Sequence, residues 1–282
     1  MTMTRRALVL GGGGITGIAW EWGILSGLKA AGVDLGDADL VVGTSAGSVV
    51  GAQVATGLDP AERYEAQLVP PDREVAATLG PGLLLRYGLA MVGGPRAPRK
   101  VRARVGKLAE RASTVSEAER VAVIESRLPV HEWPERELRI TAVDVETGEF
   151  RAFDRAAGVS LVLAVAASCA VPGVWPPVTI DGRRYMDGGV RSGANADLAA
   201  GYDRVIVLAP LPRGFGTGAA AQVEALRAAS PAESRAELVT PDRDALKAFG
   251  RNVLDPAKRA AAARAGLAQS ASVIERVRSV WR

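Results

Sequence analysis

The sequence predicts an α/β protein built on a mostly parallel sheet flanked by helices. Two strand-to-helix transitions and a long alternation of elements carry that reading. The apolar run Arg6–Leu10 breaks into four glycines and then into a helical stretch. The run Leu40–Gly43 breaks at Thr44-Ser45-Ala46-Gly47 and enters a second helical stretch. Strand-like and helix-like segments then alternate to about residue 209, the pattern of helices layered on a parallel sheet.

Taken in order, Arg6–Leu10 reads as a buried strand and Gly11–Gly14 as a loop. Thr16–Ala31 reads as a helix with Ile18, Trp22, Leu25 and Leu28 on one face. Leu40–Gly43 is a second short strand, followed by a tight turn at Ser45 and a helix to about Gly57. Pro60–Leu68 reads as a helix with Asp59 as its cap. Residues 69–135 are rich in Pro, Gly and charge, with helices expected near 101–112 and 116–127. They read as an insertion suited to a lid or to membrane contact, within a catalytic domain of residues 5–209. Leu138–Val145 and Glu149–Phe153 form strands about the turn Glu146-Thr147-Gly148. Ser160–Ala170 is an apolar helix, Val178–Ile180 and Arg184–Met186 a hairpin about Asp181-Gly182, and Arg204–Leu208 a further strand. Residues 210–282 are expected to be mainly helical, with the Ala/Arg-rich stretch from Asp255 packing on the outside of the same domain.

Composition narrows the function. At 282 residues, 48% hydrophobic and 23% charged, the chain can bury a substantial core. No run approaches the eighteen or so apolar residues of a membrane span. A net charge of +4 is too mild to point to nucleic acid. One cysteine, Cys169, leaves no internal disulfide and reads as a buried packing residue, and one histidine, His131, argues against a histidine-built metal site. The expected setting is cytoplasmic. The positive excess gathers between Arg96 and Arg111, just after the apolar run Leu79–Val92. An apolar segment followed by a basic one is what an anionic lipid surface attracts, so residues 79–111 are a candidate for peripheral membrane contact. A buried helix followed by a solvated charged helix accounts for the same pattern.

Gly43-Thr44-Ser45-Ala46-Gly47 is a G-x-S-x-G pentapeptide between strand and helix. In that context serine sits on a sharp bend at a helix N-terminus, with Gly43 and Gly47 letting strand and helix pass closely. Ser45 reads as a nucleophile. The glycines at 11–14 follow the first strand, and Gly12, Gly13 and Gly14 can turn N–H groups toward a developing oxyanion. They also fit the dinucleotide fingerprint as Gly12-x-Gly14-x-x-Gly17, the mark of a nucleotide-binding oxidoreductase. That motif expects an acid at the end of the second strand, and this strand ends in Gly43-Thr44-Ser45.

Two residues compete to activate Ser45. His131 lies in the loop-like Leu128-Pro129-Val130-His131-Glu132-Trp133-Pro134, in an order unlike that of α/β hydrolases. Asp187, in Tyr185-Met186-Asp187-Gly188-Gly189, ends a predicted strand before two glycines. A free aspartate is a weak base, and burial would strengthen it. Asp187 is the better candidate.

With glycine loop, serine turn and Asp187-Gly188-Gly189 in that order, the chain resembles the patatin-like phospholipase family over about residues 5–209. Ala167-Ser168, Pro172, Pro176-Pro177-Val178 and Ile180 extend the resemblance. It implies a three-layer fold and a Ser45–Asp187 dyad acting without histidine, with Gly12, Gly13 and Gly14 as oxyanion hole. It also implies a lipid or ester substrate, with no cofactor and no metal required. An acyl-transferring or non-catalytic member of the fold is the alternative. One position departs: the family usually carries arginine or lysine where this chain has Thr16.

Overall fold

Ala7–Leu10 are all buried, and alternate side chains enter opposite sides of one sheet: Leu8 and Leu10 join one apolar cluster, Ala7 and Val9 another. A strand buried on both faces needs a continuous apolar run, which is what Ala7-Leu8-Val9-Leu10 supplies. The computed structural model describes residues 4–70, 77, 81–90, 98–211, 216–229 and 235–282. Their strands are β1 (Arg6–Leu10), β2 (Leu40–Gly43), β3 (Glu137–Asp144), β4 (Phe150–Phe153), β5 (Val178–Ile180), β6 (Arg183–Asp187), β7 (Arg204–Leu208) and β8 (Arg235–Val239). Their helices are α1 (Gly14–Ala30), α2 (Ala46–Ala55), α3 (Pro60–Leu68), α4 (Pro81–Ala90), α5 (Pro98–Glu110), α6 (Glu117–Arg127), α7 (Leu161–Ser168), α8 (Ala219–Ala229), α9 (Arg243–Phe249) and α10 (Arg259–Trp281).

The sheet order is β5-β6-β3-β2-β1-β7-β8, with β4 also paired to β3. β3, β2, β1, β7 and β8 run parallel, β4 and β6 pair antiparallel with β3, and β5 pairs antiparallel with β6. The fold is α/β with a mostly parallel sheet between helical layers, as expected. One face packs on side chains of α1, α2, α7, α9 and α10, the other on α8 and the short helix Ala196–Ala199.

β3 sets the register that matters. Gly43, the last residue of β2, lies beside Ile140 of β3, and Asp187, the last residue of β6, lies beside Ala142 of the same strand. Side-chain caps fix several helix starts: Asp59 accepts the Glu62 N–H at 3.3 Å, and Ser116 and Glu119 form a reciprocal pair at the start of α6.

The C-terminal region departs from expectation. β8 extends the parallel sheet beyond β7, and the sequence reading did not include it. α10 lies on the outside, as expected, and its inner face seals α1. A helix apolar on all sides, as α1 is, needs cover all round. Trp20 and Trp22 are both fully buried, and the Trp20 indole N–H donates to Gln269 Oε1 of α10 at 2.8 Å. Glu21, between them, is buried as well, and burial pushes its carboxyl well above the usual range. Of the apolar run 79–92, Pro81–Ala90 form α4; residues 79–80 and 91–92, with Arg96 of the basic run, lie outside the described residues.

α1 and α10 meet backbone to backbone. A Cβ on Gly23 would lie 2.3 Å from the Ala263 carbonyl oxygen. Gly23→Val should therefore lower stability by ~3 kcal/mol or more, because neither backbone can yield without parting the helices. Urea denaturation monitored by tryptophan fluorescence measures it.

Candidate active site

Ser45 links β2 to α2 with φ 52° and ψ −117°, a left-handed conformation that costs a non-glycine residue about 1–3 kcal/mol. The surroundings enforce it. The Thr44 N–H donates to Leu10 O at 3.0 Å and the Gly47 N–H to Gly11 O at 3.0 Å, tying both ends of the turn to β1 and the glycine loop. The Ser45 N–H donates to Ser168 Oγ at 2.9 Å, and the Ser45 carbonyl accepts from Ser48 Oγ at 2.6 Å and Cys169 Sγ at 3.3 Å. Gly47 must be glycine, because a Cβ there would lie 2.1 Å from Leu10 O.

Asp187 ends β6 and is 5% exposed. Its carboxylate accepts the Gly189 N–H at 2.7 Å and shares one cavity with Ser45, whose hydroxyl favours its charged form. Burial outweighs both influences and raises its pKa to about 6. A carboxylate so placed is a better proton acceptor than a solvated one and is still ionised at neutral pH.

A buried polar network joins the two loops. Thr44 Oγ1 and Thr141 Oγ1 of β3 share a hydrogen bond of 2.8 Å. The Asn195 side-chain NH₂ donates to Thr44 Oγ1 at 3.0 Å and also to the carbonyls of Ser192 (2.8 Å) and Gly188 (3.3 Å), beside Asp187.

The glycine loop behaves unevenly. Gly12 lines the cavity, but its N–H is committed to Gly193 O at 2.8 Å, which removes it as an oxyanion donor. The N–H groups of Gly13 and Gly14 have no acceptor among the described residues. Gly14 has φ 60° and opens α1, so these donors sit at a helix N-terminus where partial positive charge gathers. Ser45, Asp187 and Gly12, Gly13 and Gly14 line one cavity of about 170 Å³. Tyr87, Val190, Leu211 and Leu254 give it mostly apolar walls. The Tyr87 hydroxyl donates to Pro172 O, holding α4 over the cavity.

The sequence model of one family, Patatin-like phospholipase, matches residues 8–200. The chain belongs to that family. Membership assigns this patatin-like domain to the lipid ester hydrolases. Among solved structures it is similar to VipD from Legionella pneumophila, with a TM-score of 0.48 and 12% identity, covering 98% of this chain and 67% of that one. It is also similar to the type III effector protein ExoU, with a TM-score of 0.45 and 15% identity over 97% of this chain and 53% of that one. Full-length ExoU in complex with SpcU, from the type III secretion system of Pseudomonas aeruginosa, gives a TM-score of 0.36 and 16% identity, over 95% and 52%. The chain thus spans about half the length of ExoU.

Within this patatin-like domain the sequence-predicted residues fall as follows. Ser45 and Asp187 meet, and the glycine loop faces them. His131 is in the loop after α6, half exposed, 3.7 Å from a Glu125 carboxylate oxygen, and is not among the residues lining the cavity. Thr16 is fully buried, its hydroxyl within 3.4 Å of the carbonyls of both Gly13 and Val253. Cys169 is buried, and burial pushes its thiol pKa up. Ser48, Ser168, Thr141 and Asn195 were not singled out from sequence; Ser168 carried a signal only as part of the family's Ala167-Ser168 stretch.

The raised Asp187 pKa has a stability consequence. The folded protein holds this proton more tightly than an unfolded chain does, so ionising Asp187 opposes folding. The opposition is absent below about pH 4 and complete above about pH 7. Asp187→Asn should raise stability by on the order of 2–3 kcal/mol at pH 8, with the gain shrinking to nothing by pH 4. Urea titrations of both proteins across that range measure the gap.

Proposed function

We propose that the protein hydrolyses carboxylic esters of lipids with Ser45 as nucleophile and Asp187 as general base. The observation that carries this is a hydroxyl on a strained turn placed in one cavity with a buried carboxylate of raised pKa. In the first half-reaction Ser45 Oγ attacks the ester carbonyl as its proton passes to Asp187. The Gly13 and Gly14 N–H groups hold the oxyanion. The intermediate collapses, the C–O bond to the alcohol breaks, and Asp187 returns the proton to the leaving oxygen. Water then attacks the acyl-enzyme, gives its proton to Asp187, and the Ser45 oxygen leaves with that proton. The apolar walls suit an acyl chain.

Contact with a lipid surface belongs to the same reading. α5 buries Val101, Val105 and Ala109 and leaves Lys100 and Lys107 in solvent. Leu89 of α4 is 65% exposed, two residues from Tyr87 in the cavity wall. Among the described residues no helix is long and apolar enough to cross a membrane, so the contact is peripheral.

Hydrolysis of p-nitrophenyl butyrate tests the chemistry. Ser45→Ala and Asp187→Asn should each lose about 10³-fold or more in kcat/KM, and His131→Ala should stay at the wild-type value. In the wild type kcat/KM should rise with pH through a limb near the Asp187 pKa of about 6. Full activity in Asp187→Asn would remove it as the base. For the membrane contact, Lys100→Glu with Lys107→Glu should weaken binding to phosphatidylserine vesicles by about 30-fold, at roughly 1 kcal/mol per basic residue near the surface. Cosedimentation reads the change.

A further inference from the structure

Glu21 of α1 is fully buried, and neither of its carboxyl oxygens has a hydrogen-bond partner among the described residues. Folded chains seldom leave a buried polar group in that state, because nothing replaces the water it has lost. A leucine in the same place would leave no polar group to desolvate. Glu21 does not line the catalytic cavity either. Its role follows from where it lies.

Gly17 and Gly14 precede it by one and two turns, so the three share a face of α1. A Cβ on Gly17 would lie 3.2 Å from Pro210 Cβ and 3.5 Å from Ala46 Cβ. That face therefore looks toward the serine turn and the segment after β7. Helical side chains lean toward the helix N-terminus, which directs the Glu21 carboxyl back toward the glycine loop. The Gly11 backbone acts on that carboxyl, favouring its charged form, and burial outweighs the influence.

Gly11 anchors the loop. Its N–H donates to Leu208 O at 2.9 Å, and its carbonyl accepts the Gly47 N–H at 3.0 Å. It thus joins β7 to the turn that carries Ser45. Gly13 and Gly14, just beyond it, line the catalytic cavity. The Glu21 carboxyl stands behind a stretch of backbone whose front presents N–H groups to that cavity.

We propose that Glu21 is a positioning residue for the oxyanion donors: its carboxyl, packed behind Gly11, fixes where the Gly13 and Gly14 N–H groups stand relative to Ser45. This role rests on the catalytic reading given above, in which those two groups hold the oxyanion. The oxyanion exists only once Ser45 has attacked, so a misplaced donor costs turnover and leaves ground-state binding alone. A neutral amide of the same shape can support Gly11 as the carboxyl does, and an apolar side chain cannot. The polar group is kept at a cost in stability for the sake of that placement.

The test compares the wild type with Glu21→Gln, Glu21→Leu and Glu21→Met, using p-nitrophenyl butyrate hydrolysis and urea denaturation. Both apolar variants should lose about tenfold or more in kcat, with KM within about twofold of the wild type. Their urea midpoints should stay at or above the wild-type value, since an unpartnered buried carboxyl has gone. Glu21→Gln should keep kcat within about threefold. An alkyl trifluoromethyl ketone reads the oxyanion directly. Ser45 Oγ adds to its carbonyl carbon, the serine proton passes to Asp187, and the carbonyl oxygen becomes the oxyanion. Its inhibition constant should rise in Glu21→Leu by the factor lost from kcat and stay unchanged in Glu21→Gln. A side chain with a purely structural role would lower stability and turnover together. Wild-type kcat in the apolar variants, a loss confined to KM, or Glu21→Gln as slow as Glu21→Leu overturns the proposal. Collapse of the fold in both apolar variants makes the carboxyl structural and overturns it too. Absence of ester hydrolysis by the wild type is a different failure, which removes the catalytic reading and this role with it.

Discussion

The site depends on one strand serving two loops. β3 hydrogen-bonds to the strand that ends before Ser45 and to the strand that ends at Asp187, and the two junctions lie at Ile140 and Ala142. Between them on the same strand, Thr141 places its hydroxyl against Thr44, and Asn195 ties that pair to the carbonyl of Gly188. Ser45 and Asp187 are therefore positioned by backbone register first and by three buried polar side chains second. Register in a sheet cannot slip by one residue without turning every side chain to the opposite face. That rigidity allows two side chains from segments so distant in sequence to be brought to one cavity.

The same rigidity sustains the strain at Ser45. Its turn is bonded at both ends to the β1 terminus and the glycine loop, and its own N–H and carbonyl are taken by Ser168, Ser48 and Cys169. A backbone so fully bonded leaves the hydroxyl to face the cavity it shares with Asp187. The carboxylate is desolvated by the same packing that immobilises it. Placement and basicity thus have one cause, burial at the end of β6, which is why an imidazole is not needed to explain the geometry.

Much of this was legible in the sequence, for identifiable reasons. Strands buried on both faces write themselves as continuous apolar runs, so β1, β2 and β7 fell where the runs were. The serine turn and Asp187-Gly188-Gly189 were visible because sharp bends beside a site demand glycine at fixed offsets. β8 was not, because Arg235-Ala236-Glu237-Leu238-Val239 carries two charges, as an edge strand may do with solvent on one side. Nor was the seal of α10 on α1, since small residues along a helix do not name the partner they let approach. The fate of the Gly12 N–H was out of reach for another reason. Its acceptor, Gly193 O, is a backbone atom far along the chain, and backbone pairing across loops leaves no mark on side-chain pattern.

Thr16 shows how a departure from the family pattern is absorbed. Its hydroxyl reaches inward to Gly13 and Val253, bracing the glycine loop against the segment that precedes α10. A long cation could not occupy that fully buried spot without a counter-charge, and the backbone carbonyls there offer none. Positive potential instead reaches the serine from the α6 side. Arg120 is buried against Trp175, lines a narrow space beside Ser45, and acts electrostatically on the Cys169 thiol, which itself touches the Ser45 carbonyl. Stacking on Trp175 holds that guanidinium at a fixed place beside the Ser45 turn. At Thr16 the glycine loop is braced by a neutral hydroxyl, and the cationic side chain beside the serine comes from a neighbouring helix.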